Sequence, residues 1–306
     1  MHFVQPSRTT THLTFVGGGT LACAILDGLS EQAASTALRP SQRTDYSVSI
    51  TVRRQECIEQ ISKRYPGAYV TDNNDDEKLW LFDHAPAVHI ILICTKPHST
   101  SDVCERIRLA HDKSCPPCQN LPVVVTMCPG ITISKLETWL RLGKNQNSFT
   151  VVRTMPNTPV SIRQGATAFF TSEHATDEEV ESVVALFRVF SPCVERLLEE
   201  NLLDVAAAVS GSGPAYIFQL YKCLVAAGVE CGLPEGLARA LVTQTGVGSS
   251  LLANNQAEVP LQKMIRDVCV PGGSTEKGMK SLEDAGFQAA VANAVSRSLE
   301  ANRAMG

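Results

Sequence analysis

The sequence predicts an α/β protein in which a doubly wound sheet is followed by an all-helical domain, and three observations carry that reading. Short apolar, β-branched runs alternate with helix-like segments over roughly the first two hundred residues. That alternation is the pattern of parallel strands joined by helical crossovers. From about Asn201 the strand-like runs stop and Ala, Gly and Leu dominate. Three consecutive glycines, Gly17-Gly18-Gly19, separate the first strand-like run from the first helix-like one. The expected domains are therefore residues 1–199 and 200–306.

Taken in order, Thr11 to Val16 is apolar and β-branched, the glycines break it, and Leu21 to Leu29 reads as a helix. Tyr46 to Val52 alternates as a second strand. Val88 to Cys94 is continuously apolar, as a strand covered by helices on both faces should be. Pro122 to Cys128, Phe149 to Met155 and Ala166 to Thr171 follow as strands, then a helix over Asp177 to Phe190 and a short strand near Val194. Ser30 to Asp45 and Ala110 to Asn120 read as inserted surface loops.

In the second domain Ala215 to Ala227, Glu235 to Leu252 and Phe287 to Arg303 read as helices, with Pro234, Pro260 and Pro271 at or just before helix starts. Its many small residues allow close helix contacts, but one such domain buries its apolar faces poorly. A homodimer, or a larger homo-oligomer built of dimers, is the expected state.

Bulk properties remove other classes. A formal net charge of −4 supplies no basic field for nucleic acid or an anionic membrane. No apolar run is long enough for a membrane span, and Met1 to His12 lacks the apolar core of a secretory signal, so a cytoplasmic location is expected. Eleven scattered cysteines argue for reduced thiols. Cys115-Pro116-Pro117-Cys118 has the spacing of half a zinc or redox site, but no second close pair completes it, and no metal is expected.

Gly17-x-Gly19-x-x-Ala22, strand before and helix after, has the spacing of a dinucleotide-binding turn of Rossmann type. The first glycine makes the turn, the second lets a pyrophosphate approach the backbone, and the small third residue permits helix–sheet packing. Gly17, Gly19, Thr20 and Leu21 are the expected cofactor contacts there. At the end of the second strand, where an NAD site carries an acid for the ribose hydroxyl, the chain reads Val52-Arg53-Arg54-Gln55. Two guanidinium groups favour a 2′-phosphate and hence NADPH, with NADH as the lesser option. Thr95, Lys96 and Pro97 follow the most apolar strand, at the sheet edge where such ligands bind. Lys96 either contacts the cofactor or caps its turn. Asn74 and Asn157 complete the expected cofactor set.

Two further glycine turns stand in the helical half: Ser210-Gly211-Ser212-Gly213-Pro214 and Pro271-Gly272-Gly273-Ser274-Thr275. Each has glycines where a helix is about to begin, leaving backbone N–H groups available to a carboxylate. The first lacks the Gly-x-Ser-x-Gly spacing of a nucleophile elbow, which removes a serine hydrolase.

Together these stretches resemble the pyrroline-5-carboxylate reductases. The matching segments are Phe15 to Ala22, Thr95 to His98, Arg153 to Pro159 with Gly165, Asp204 to Tyr216, and Pro271 to Thr275, in family order along nearly the whole chain. The resemblance implies an NAD(P)H-dependent reductase acting on the C=N bond of a five-membered cyclic imine carboxylate to give proline. It implies a Rossmann-type domain followed by a helical dimerisation domain. Gly272, Gly273 and Ser274 would receive the substrate carboxylate beside Val270, and Thr275 matches the threonine that contacts the imine nitrogen, which makes it the expected catalytic residue. Positioning is the expected source of rate, since a protonated imine needs only its carbon held against the nicotinamide. His98 reads as a turn residue, and Arg153 with Met155 to Pro159 as a loop after a strand.

The chain departs from the family pattern at Val270, where serine is usual, at Ala207, where threonine is common, and at Cys128-Pro129-Gly130, where Ala-Ala-Gly is common. These departures leave two alternatives beside the plain reaction. One is a paralogue reducing a substituted, for example methylated, cyclic imine in secondary metabolism; the other is a non-catalytic NADP-binding regulator.

Overall fold

The computed structural model describes residues 11–36, 46–80, 88–112, 121–141 and 148–305. Their contacts divide the chain into two compact units: residues 1–211 with the returning end 299–306, and residues 212–298. The change in composition at Asn201 thus falls ahead of the division in contacts, at Gly211–Ser212.

The first unit is built on eight strands: β1 Thr11–Val16, β2 Tyr46–Thr51, β3 Tyr69–Thr71, β4 Val88–Ile93, β5 Val123–Thr126, β6 Val151–Pro156, β7 Ala166–Thr171 and β8 Cys193–Arg196. They lie in the order β3-β2-β1-β4-β5-β6-β7-β8. All neighbours are parallel except β6 and β7, which run antiparallel with Thr154 opposite Phe169. Strand order reverses between β1 and β4, and a crevice for ligands opens beyond the carboxyl ends of strands at such a point.

Two apolar layers sandwich the sheet. One face packs Leu13, Phe15, Ile50 and Leu92 against Ile25 of α1 (Thr20–Thr36), Ile61 of α2 (Glu56–Arg64) and Phe187 of α5 (Asp177–Arg188). The other packs Val16, Ile91, Ile93 and Val124 against Val103 and Ile107 of α3 (Thr100–Asp112) and Leu136 of α4 (Ile133–Leu140). In β4, Ile90 and Leu92 supply one layer and Ile91 and Ile93 the other, which is why that strand reads as an unbroken apolar run. A capping box starts α5, Thr176 Oγ1 accepting from Glu179 N–H while the Glu179 carboxylate accepts from Thr176 N–H.

Several expectations need correction. Ser30 to Thr36 is helical, the last part of α1, not loop; residues 37–45 lie outside the described residues. Residues 110–112 likewise finish α3, while 113–120, with Cys115 and Cys118, lie outside them. Arg153 is not in a loop but inside β6, and its side chain is buried. α2, β3, α3 and α4 have no counterpart in the sequence reading.

At the end of the first unit a short α6, Leu202–Ala206, runs into a single π turn at Ala207–Gly211. The second unit is entirely helical among its described residues: α7 Gly213–Glu230, α8 Glu235–Asn255, α9 Leu261–Val268, α10 Ser274–Asp284 and most of α11 Phe287–Ala304. Pro214 sits in the first turn of α7, where its missing N–H costs nothing, and Pro234 and Pro260 immediately precede α8 and α9. A Cβ on Gly246 of α8 would collide with the Tyr221 side chain of α7, which must then shift.

Candidate functional site

The nucleotide turn lies between β1 and α1, at the strand-order reversal. Gly17 has φ +107°, a conformation open to glycine, and a Cβ there would meet the Cys94 carbonyl oxygen at 3.0 Å. Its N–H donates to Thr51 Oγ1 at 3.2 Å, which ties the turn to β2. A Cβ on Gly18 would lie 2.9 Å from Val52 Cγ1, whereas one on Gly19 would meet nothing within 4 Å. The backbone is thus tight below Gly17 and Gly18 and open above Gly19. Thr20 and Leu21 begin α1, whose first turn carries no acidic side chain. Open amides at a helix start, with no competing carboxylate, suit a pyrophosphate.

Thr95 follows β4 directly across from this turn; its Cγ2 would be 3.4 Å from a Gly17 Cβ. The Thr95 hydroxyl oxygen is buried with no hydrogen-bond partner, a group that a bound ligand would satisfy. The neighbouring Cys94 thiol is pushed well above its ordinary pKa by burial, reinforced by Cys128 and Cys23, and is no nucleophile at neutral pH. Lys96 is exposed and makes no side-chain cap to the short 3-10 turn that Pro97 opens. A nicotinamide dinucleotide fits this donor set: bare amides for its phosphates and an orphaned hydroxyl at the sheet edge.

Arg53 and Arg54 follow β2, next to the Val52 side chain that abuts Gly18. Both are exposed, and Arg54 pairs with Glu56 at 3.0 Å. Asn74 is half-buried, and its carbonyl accepts from Trp80 Nε1 at 3.0 Å. The Asn157 amide is engaged within the first unit: Nδ2 donates to the Ser210 carbonyl and hydroxyl oxygens at 3.4 Å, and Oδ1 accepts from Ala166 N–H at 2.9 Å. It joins the end of β6, the start of β7 and the π turn.

In the second unit, residues 270–275 form the turn that opens α10. Gly272 has φ +75°, and the Gly273 N–H closes the turn on the Val270 carbonyl at 2.8 Å. A Cβ on Gly273 would approach that same oxygen to 2.8 Å, so both glycines are required. Gly273 is the residue before the first helical turn, and Ser274 and Thr275 are exposed within it. Val270 is 67% exposed. The Gly272 N–H donates to the Glu276 carboxylate at 2.8 Å.

Sequence reasoning missed two groups. Glu276 carried a signal, an acid in the first turn of a glycine-started helix. The other is the ion cluster around buried Arg153, which donates to Glu200 at 2.6 Å and lies 3.6 Å from Asp204. The same Glu200 oxygen accepts from Ile133 N–H at 2.7 Å, at the start of α4. A groove of about 720 Å³ between α7 and α8, lined by Phe218, Tyr221, Val225, Glu235 and Arg239, contains none of the expected site residues.

A mostly parallel sheet with a glycine turn at its order reversal is the architecture of a dinucleotide-binding protein. Residues 200–305 match the family model for pyrroline-5-carboxylate reductase dimerisation. The chain is 43% identical over 310 aligned positions to the delta-1-pyrroline-5-carboxylate reductase apf3 of Gibberella fujikuroi, covering 99% of each. It is 30% identical to pyrroline-5-carboxylate reductase 2 of Rattus norvegicus, covering 93% of this chain and 80% of that protein. The crystal structure of Plasmodium falciparum pyrroline carboxylate reductase with NADP bound superposes with a TM-score of 0.75 at 25% identity, covering 96% of this chain and 98% of that one. The chain belongs to the pyrroline-5-carboxylate reductase family, and its helical segment is a dimerisation domain of that family.

Proposed function

We propose that this protein reduces the C=N bond of 1-pyrroline-5-carboxylate to L-proline, with NADPH as the hydride source. The observation that carries the reading is the full-length relationship to a reductase of that name, with both glycine turns in place. The cofactor supplies the hydride; the protein's part is to hold the reactants. The Gly17–Leu21 backbone receives the phosphates, Thr95 meets the cofactor at the sheet edge, and Arg53 with Arg54 takes the 2′-phosphate. Asn74, Lys96, Pro97 and Asn157 border the same site. The amides of Gly272, Gly273 and Ser274 take the substrate carboxylate beside Val270, and Thr275 hydrogen-bonds the imine nitrogen. The reaction requires the ring carbon to face C4 of the nicotinamide, and holding it there removes most of the entropic barrier.

The segment that matches a dimerisation domain supports a homodimer, and we extend this to an assembly of dimers in the cytoplasm. No helix among the described residues is long and apolar enough to cross a membrane. Nothing in the fold or the comparisons favours a substituted ring or a non-catalytic role.

Loss of NADPH absorbance on adding 1-pyrroline-5-carboxylate, with proline as the product, is the expected result; no turnover by protein that binds NADPH would refute the assignment. For the cofactor, the comparison is kcat/KM with NADPH and with NADH for wild type and Arg53→Ala. Wild type should prefer NADPH, and the variant should lose about 10- to 100-fold with NADPH alone, the worth of one charged hydrogen bond. Equal losses with both cofactors would remove Arg53 from phosphate recognition.

A further inference from the structure

The turn that opens α10 already holds a carboxylate. Glu276 stands in the first turn of the helix, and its Oε2 accepts from the Gly272 N–H at 2.8 Å. That donor is one of the amides assigned above to the substrate's acid group. Glu276 is exposed, no ion pair to it is found among the described residues, and Gly272 N–H is the hydrogen-bond donor it accepts from. The N–H carries one proton, and a second carboxylate could share it only through a weaker three-centre bond. Like charges this close would also repel.

We propose that Glu276 is a built-in competitor for the carboxylate cradle, seated on Gly272 and displaced by the anionic substrate or product. The inference rests on the assignment of residues 272–274 to the substrate carboxylate. In this role Glu276 sets specificity: a ligand must carry a negative charge to displace it, and a neutral ring gains nothing by entering. It also weakens retention of proline, because the side chain returns to the amide as the product leaves. Binding is opposed by the cost of breaking a charge-assisted bond at a helix start, so removing Glu276 should tighten binding roughly threefold to tenfold.

The test compares the full-length wild type with Glu276→Gln and Glu276→Ala, each checked for an unchanged thermal transition. Three quantities are read: KM for 1-pyrroline-5-carboxylate, KM for NADPH, and product inhibition by L-proline. Expected are a lower imine KM and tighter proline inhibition, larger for the alanine variant, with the NADPH KM unmoved. Without cofactor, deuterium exchange of residues 270–276 should be slowed by lower proline concentrations in Glu276→Ala than in wild type. An imine KM that stays put or rises would overturn the proposal and leave Glu276 an ordinary helix cap. Gly273→Ala separates the two layers of argument, because its Cβ collides with the Val270 carbonyl and distorts the cradle itself. If that variant raises the imine KM while the Glu276 variants do not lower it, only the competitor fails. If Gly273→Ala leaves the imine KM untouched, the cradle assignment fails with it.

Discussion

The two units are held together differently. In the first, Phe15, Ile25, Ile50, Ile91, Phe187 and Phe190 are all fully or almost fully buried, and both faces of the sheet are covered. In the second, Ala238 is the one buried hydrophobic among the described residues, while Phe218 is 64% exposed, and Leu224, Leu241 and Leu251 are each about half exposed. A helix with that much bare apolar surface needs another surface to cover it. Residues 200–305 match a dimerisation domain, and in the homodimer proposed above a second copy of this chain covers that surface. The first unit carries its core within one chain; on the proposed dimer the second shares its core between two. Each can therefore be weakened without the other, and by different means.

The largest expected effect is on the first unit. Arg153 is buried with only 4% of its side chain exposed, between Glu200 and Asp204. Arg153→Ala leaves two carboxylates without their cation in a low-dielectric site, and a loss of about 3–5 kcal/mol is expected. Arg153→Lys keeps the charge but not the fork, and should lose less. Denaturant unfolding measures both, and a loss under about 1 kcal/mol for the alanine variant would show the cluster to be solvated, as exposed pairs are.

The second unit should respond to concentration. If its apolar surface is buried between two copies, as proposed, its thermal transition should rise with protein concentration, as linked folding and assembly requires. Phe218→Asp places a charge where about 2–3 kcal/mol of burial is expected, and should shift the assembly toward monomer. Sedimentation or light scattering across a dilution series reads this. A variant as dimeric as wild type would place Phe218 outside the interface, and the α7–α8 groove with it.

Acid should act on the first unit. His12 is lowered to about 4 by burial, and His89 and His111 are lowered as well, chiefly by burial, though the hydrogen bond to the Ile107 carbonyl and then Asp112 pull His111 the other way. Thr14 gives its one proton to the Leu79 carbonyl, so the His89 Nε2 facing it at 2.9 Å must be the donor in that pair. A histidine with a lowered folded pKa binds more protons when unfolded. Its contribution is complete above the unfolded value of about 6.5 and is lost as pH falls from there toward 4, at up to about 1.4 kcal/mol per pH unit per group. The midpoint of denaturant unfolding should therefore fall between pH 6.5 and 5, and fall less steeply in His12→Gln. Equal slopes for the two proteins would exclude His12 from the linkage.

What the sequence disclosed followed from how local each requirement is. Gly17, Gly272 and Gly273 announce themselves because positive φ or a close carbonyl is a constraint on one residue. β1 and β7 were legible end to end because their apolar or β-branched runs stop at glycine, serine or acid. β3 has only three residues and α3 mixes five charged residues with its apolar ones, so neither period stands out. The antiparallel pairing of β7 is a matter of register between strands, which no single segment records. Arg153 meets Glu200 across 47 positions, and only the fold brings them together. The sheet edge and both turns could thus be found from the chain alone; the ion cluster needed coordinates, and so did the contact of Glu276 with Gly272, though its place in the first turn was legible.

The smallest effect, and the finest test of the contrast between the units, is expected at Val270. Its side chain is 67% exposed at the mouth of the α10 turn, and its carbonyl, which any residue would supply, closes that turn on Gly273. Val270→Ser should therefore leave stability within about 0.5 kcal/mol of wild type. It adds a hydroxyl beside the cradle and removes bulk. One neutral hydrogen bond to the substrate, worth about 1 kcal/mol, should lower the KM for 1-pyrroline-5-carboxylate about fivefold. If instead the variant melts at a lower temperature with KM unchanged, Val270 belongs to the apolar surface that two copies bury together. It would then count with Phe218 as a packing residue rather than with Gly272 as part of the site.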